Sequence, residues 1–191
     1  MKSMRQMASI ALAMGLMSGV VYASRDSDTT KLFRNSRQSA QFFDRAYGYA
    51  VFPTIGKGGL GVGAAHGSGH VYAHGRRIGR VTVNQLSVGL QAGGEAYSEI
   101  IFFKDKAALD DFTSGNFEFS ADAGAIAVTA SADASVGTTG ADAGASVSKD
   151  DAATAGEYHH GMAVFTIAKG GLMYNATVAG QKFSFHRNED S

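Results

Sequence analysis

A chain of 191 residues with 25 glycines, one proline and no cysteine has the size of one compact domain, and 45% apolar against 18% charged residues is enough to bury a core. The missing cysteines exclude disulfides, thiolate metal sites, cysteine nucleophiles and a lipid attached through an N-terminal cysteine. The 17 basic and 17 acidic residues balance overall but not locally: Ser24–Arg80 holds nine Lys/Arg against three Asp/Glu, and Val81–Ala168 three against twelve. That asymmetry suits a basic face for an anionic partner such as lipid head groups, and equally a fold in which the two halves neutralise each other.

In chain order, Lys2 and Arg5 precede an apolar run from Met7 to Val21, and Val21-Tyr22-Ala23 puts small or permissive residues at a cleavage position. This predicts a secretory signal over residues 1–23, since the run falls short of the ~20 residues that a bilayer span needs. The mature chain, residues 24–191, is then one exported domain of net charge −2, periplasmic or secreted.

Asp28, Thr29 or Thr30 can cap a helix running to about Tyr47. At 100° per residue, Lys31, Arg34, Arg37, Gln38, Gln41 and Arg45 share one arc, while Leu32, Phe33, Ala40, Phe43, Ala46 and Tyr47 share the opposite one; Phe42 is the exception. Such a helix either packs its apolar stripe on the domain or lies in a bilayer interface, with aromatics among acyl chains and arginines among phosphates.

From Ala50 onward, short apolar or alternating runs separated by glycines read as antiparallel strands near Ala50–Ile55, Gly59–Ala65, His70–Ala73, Arg80–Val83, Ser87–Ala92 and Ala96–Phe103. Gly67-Ser68-Gly69, Gly75-Arg76-Arg77 and Gly93-Gly94 are the expected turns. A short helix follows, capped by Asp105, with Ala108, Leu109 and Phe112 on one face and Gly115 stopping it; Phe117 and Phe119 restart the strand period. Ala121–Val128 can continue a sheet, whereas Ser131–Glu157 has too few bulky apolar residues to offset its ordering entropy and reads as a mobile acidic loop, or alternatively as regular hairpin strands. Ala50-Val51-Phe52-Pro53-Thr54-Ile55-Gly56-Lys57-Gly58-Gly59-Leu60 is echoed by Ala163-Val164-Phe165-Thr166-Ile167-Ala168-Lys169-Gly170-Gly171-Leu172, which suggests two equivalent strand–turn units across a pseudo-symmetric sheet. The fold class is therefore mainly β (α+β): an antiparallel, barrel-like or sandwich sheet with an N-terminal amphipathic helix and one short further helix.

Chemical signals are sparse. Gly56-x-Gly58-x-x-Gly61 spells a dinucleotide fingerprint, but a strand-like run follows where that motif needs a helix, so tight turns account for it better and no cofactor is expected. Lys57 and Lys169 stand in the two equivalent turns, either solvated or meeting phosphate oxygens. His66, His70 and His74 would share a face of one uninterrupted strand as a metal site, yet the expected turn at Gly67–Gly69 interrupts it and no metal is assigned. Glu95, Glu99, Asp110 and Asp111 are expected on hydrophilic surfaces, and no serine or threonine has a nucleophile-elbow context, so the protein reads as non-enzymatic. Arg76, Arg77 and Arg80 are too small a cluster to suggest nucleic acid.

The strings Ala50-Val51-Phe52-Pro53 with Lys57-Gly58-Gly59-Leu60-Gly61-Val62-Gly63, Ser87-Val88-Gly89-Leu90-Gln91-Ala92-Gly93-Gly94, Tyr97-Ser98-Glu99-Ile100-Ile101-Phe102-Phe103 and Lys169-Gly170-Gly171-Leu172 together resemble the SYLF domain, a lipid-binding module with many exported bacterial members. The resemblance covers about Phe43–Phe185 and departs at Ser131–Glu157, which is longer than the usual connection. It implies binding of anionic phospholipid membranes through an amphipathic N-terminal helix and nearby basic residues. In this chain those are the helix around Leu32–Tyr47, with Arg34, Arg37 and Arg45, and Lys57 in the matching glycine-rich turn; the reading of the residues themselves adds Lys31, Phe33 and Phe43 on the helix and Lys169 in the second turn as lipid-binding candidates. The actin association of some relatives does not carry over to an exported protein. The alternative is a structural or self-associating cell-envelope protein, a homo-oligomer among its options, whose helix packs internally or against a partner and whose acidic loop provides the functional surface.

Overall fold

The computed structural model describes residues 25–119, 127–129, 158–169 and 180–188. The expected signal at 1–23, the loop at 131–157 and the Gly170-Gly171-Leu172 part of the repeat lie outside them.

Helix α1 occupies residues 25–35, and a 3₁₀ turn follows at Ala40–Phe42. The sequence period predicts one helix to Tyr47; the chain instead breaks at Ser36. The Ser39 hydroxyl donates to the Phe33 carbonyl at 2.6 Å, and the Ser36 amide also donates to it, so the orphan carbonyl at the helix end is satisfied by the turn and not by a further helical residue.

Two long strands dominate the fold: β1, Gly48–Ala73, and β2, Arg76–Phe103, paired antiparallel from Gly48↔Phe103 to Ala73↔Arg76. They are joined by a tight turn in which His74 and Gly75 both take positive φ (48° and 75°). The sequence reading divides this stretch at Gly67–Gly69 and Gly93–Gly94, but both lie within strands. Gly67 and Gly69 serve close approach: a Cβ on Gly67 would come within 2.7 Å of Ile55 and 2.9 Å of the Thr54 carbonyl, and one on Gly69 would collide with the Val51 carbonyl. The first and last parts of β1 are thus packed against each other, with register shifts between Phe52 and Ile55 and between Leu60 and Val62 bending the strand back.

The free edge of β2 is shared by two partners. Strand β5, Met162–Ala168, pairs along Tyr97–Phe103, and β6, Gln181–Arg187, along Gly79–Gln85. Short β3, Asn116–Glu118, extends the sheet beyond β6, and β4, Ala127–Thr129, adds a parallel pairing to β5. The result is mostly β with two helices, and the sheet is not closed. The two repeat copies flank β2, but with a one-residue slip: Ile101 pairs with Ala50 on one side and Val164 on the other. A slip of one residue exchanges faces, so Phe52 points into the main core and Phe165 into the outer cluster.

The main core lies between the folded-back arms, with Phe52, Ile55, Val71, Val83, Ile101, Phe103 and Phe183 among its members. Helix α2, Lys106–Phe112, plugs it with Ala108, Leu109 and Phe112, and Asp105 caps its first turn by accepting from the Ala108 amide at 3.0 Å, as expected. A second cluster on the outer face of the sheet joins Val51, Ile100, Phe102, Ala163 and Phe165 to Phe33 and Phe42 of the N-terminal segment. Tyr97–Phe103 is buried on both faces for that reason.

Candidate functional site

Helix α1 sorts its residues much as its period predicts, but its apolar side is already occupied. Phe33 is fully buried. Phe43 is half-buried, its ring edge-on to Phe102 at 4.8 Å. Phe42, assigned to the polar side by the helical period, is buried against Phe165 (5.0 Å) and Phe102 (5.5 Å), because the helix ends before it and the 3₁₀ turn rotates it inward. Leu32, assigned to the apolar side, is 42% exposed. The aromatic rings expected among acyl chains are therefore held by the protein's own sheet.

The basic arc remains outside: Lys31, Arg34, Arg37 and Arg45 are all exposed. The Arg34 guanidinium lies over the Phe43 ring at 4.2 Å, a cation–π contact. Lys31 sits 3.6 Å from Asp28, a solvated pair of little energetic weight.

The second site expected from sequence, the glycine-rich basic turns, comes out differently. Lys57 is half-buried in β1, within the strand. Lys169 closes β5, donating to the Thr54 hydroxyl at 2.9 Å, and partial burial, then Arg25, hold its ammonium below the usual lysine range. Where β1 bends back, after Lys57 in the chain, stand exposed apolar side chains: Leu60 at 82%, Val62 at 62% and Leu86 at 79%. Leu86 pairs with Ala64, next to Val62 on the same strand face. This apolar apex is a candidate that sequence reasoning missed, since the glycine-flanked alternation was read as strands with one covered face.

Two buried polar groups were also missed. Asp26, at the start of α1, accepts from His70 Nδ1 at 2.6 Å and from the Tyr72 hydroxyl at 2.7 Å, both through Oδ2, pinning the helix to the last turn of β1. His66, by contrast, is exposed and bonds Asn84 at 2.8 Å. Among the described residues no three His, Cys, Asp or Glu side chains converge as a metal site. Glu99, expected on a hydrophilic face, is fully buried; Gln181 donates to its Oε2 at 3.0 Å and to the Tyr97 hydroxyl at 3.2 Å. Burial raises the Glu99 carboxyl to about 7, against a smaller lowering by Gln181. The signal was hidden because Glu99 sits on a strand covered on both faces, where alternation carries no information.

No helix among the described residues is long and apolar enough to cross a membrane. The sequence profile described as "Ysc84: Las17-binding protein actin regulator" matches residues 84–191, more than half of the chain. The chain belongs to the Ysc84, or SYLF, family. A curated SYLF relative, Beta cell expansion factor A of Aeromonas veronii, is 30% identical over 161 residues, covering 83% of this chain. This chain spans 53% of the length of that relative. The match to the SYLF profile takes in most of β2 and everything from α2 to β6; α1 and β1 lie before it.

Proposed function

We propose that this SYLF protein is an exported, non-enzymatic lipid-binding protein that associates reversibly with anionic phospholipid membranes. The observation that carries the reading is the apolar apex, Leu60, Val62 and Leu86, left exposed at a strand bend. A patch of this kind suits shallow insertion below the head groups, while Lys31, Arg34, Arg37 and Arg45 offer a separate cationic surface. Each basic residue close to an anionic leaflet contributes about 1 kcal/mol, so the association weakens with salt. Phe33 and Phe43 are not needed for insertion in this reading; they hold α1 in place. The actin regulation in the family's description is not carried over, because an exported protein does not meet actin.

Co-sedimentation of the mature protein with phosphatidylglycerol vesicles across ionic strength tests this. The double variant Leu60→Ser/Leu86→Ser is expected to bind about tenfold more weakly, since burying a leucine side chain is worth about 1.5–3 kcal/mol when complete. Alanines at Arg34 and Arg37 are expected to flatten the salt dependence. Absence of sedimentation with every anionic composition sinks the proposal. The same apex also suits self-association of two copies; sedimentation velocity of the double variant without lipid separates the two, because only a self-associating protein would dissociate.

A further inference from the structure

Between α1 and the two ends of β1, Tyr49 and Tyr72, lies an open cleft of about 420 Å³. Its two ends differ in charge. Asp26, 2% exposed, forms the inner part, and its Oδ1 has no hydrogen-bond partner although Oδ2 is taken by His70 and Tyr72. Next to it Tyr49 and Tyr72 stack at 5.1 Å, the Tyr49 hydroxyl hydrogen-bonded to Thr30. At the exposed rim stand Lys31 and Arg34, one helical turn apart on α1.

A buried carboxylate oxygen without a donor is costly, and aromatic rings beside it make a surrounding that suits an ammonium. Two cations at the mouth disfavour a simple cation and call for an anion on the same ligand. The order from inside out is therefore ammonium, then phosphate, then the rest of the molecule. We propose that this cleft binds phosphoethanolamine, the head group of ethanolamine phospholipids: ammonium on Asp26 and the stacked tyrosines, phosphate on Lys31 and Arg34, and glycerol outside the mouth. Arg34 is suited to the phosphate because its guanidinium offers paired N–H donors and already rests over the Phe43 ring, 4.2 Å from its centroid. A trimethylammonium has no N–H to give Oδ1, and a phosphoserine head group would bring a second carboxylate against Asp26, so both are discriminated against. The inference deepens the lipid reading and rests on it for the ligand's source alone.

Titration calorimetry of the full chain with O-phosphoethanolamine and O-phosphocholine tests the cleft apart from any membrane. Phosphoethanolamine is expected to bind at least tenfold more tightly. Arg34→Ala, an exposed change, is expected to weaken both ligands and keep their ratio. Asp26→Asn is expected to bring the ratio near one; because Asp26 also anchors α1, its near-UV circular dichroism is recorded alongside, and the wild-type ratio stands as the test if that variant misfolds. Equal binding of the two ligands by the wild type, or no effect of Arg34→Ala, overturns the proposal. Vesicles of equal phosphatidylglycerol content with phosphatidylethanolamine or phosphatidylcholine distinguish the sources. A preference in both arms supports a bilayer head group. A preference for soluble phosphoethanolamine with no vesicle binding supports the cleft and sinks the membrane reading. Apex-dependent vesicle binding with no ligand preference sinks the cleft and leaves the membrane reading standing.

Discussion

Glu99 sits in the interior with one carboxylate oxygen bonded to Gln181 and the other without a partner. Its carboxyl is raised to about 7 from an ordinary 4.5, chiefly by burial, so the folded state holds its proton more tightly than the unfolded chain. The associated stability is fully present below about pH 4.5 and is lost as pH rises through about 7, by on the order of 3 kcal/mol across that window. Denaturant midpoints measured from pH 4.5 to 8.5 are expected to fall over this range in the wild type, and Glu99→Gln is expected to remove most of the fall. A wild type whose midpoint rises toward pH 8 contradicts this account. Phe33 makes the companion case for packing. Its complete burial in the outer cluster means that Phe33→Ala should cost about 3–5 kcal/mol, or should release α1 alone, which proteolysis within residues 25–35 would reveal.

Strand β1 shows how an element can carry a fold through its glycines. The contacts that Gly67 and Gly69 would make with a Cβ are backbone or core contacts on the opposite half of the same strand. Gly69→Ala is therefore expected to destabilise the protein by about 1–3 kcal/mol, the scale of overpacking in a filled interior. Gly56, with nothing within 4 Å of an added Cβ, is the control: Gly56→Ala should change the urea midpoint little. Equal midpoints for the two variants would show that the halves of β1 do not depend on that approach. Helix α2 was legible to within a residue, because an Asp cap, three apolar residues on one face and a stopping glycine all agree locally. Helix α1 was legible only in its middle: the helix already runs from residue 25, so the expected cap at Asp28, Thr29 or Thr30 lies inside it, and the amphipathic period continues past Ser36 while the Ser39 side chain takes the carbonyl that the next turn would need.

For the molecule as a whole, α1 is anchored twice, by Asp26 to His70 and Tyr72 and by Phe33 in the outer cluster. In the proposed membrane reading, such a platform, with its apolar apex and outward cationic helix, would meet a surface without unfolding. Hydrogen exchange at the amides of Phe42 and Ala46, both hydrogen-bonded, is expected to be unchanged by phosphatidylglycerol vesicles, while the bend near Leu60 gains protection. Loss of protection at Phe42 would mean that the helix leaves the sheet to insert, and that the closed arrangement is a resting state.

The sequence by itself determined the mainly antiparallel β class, the short capped helix and the family, because each rests on local period, turn chemistry or ordered motifs. It also placed Lys31 and Arg34 on the exposed side of α1, since a helix of any length turns by the same angle per residue; Arg37 and Arg45, expected on the same helix, come after its end. Only the tertiary structure decided which apolar side chains stay exposed, that Gly67 and Gly69 permit contact instead of making a turn, and that Glu99 and Asp26 are buried. Those outcomes depend on what lies across from each residue. A strand covered on both faces and a strand covered on one can be written with the same residues.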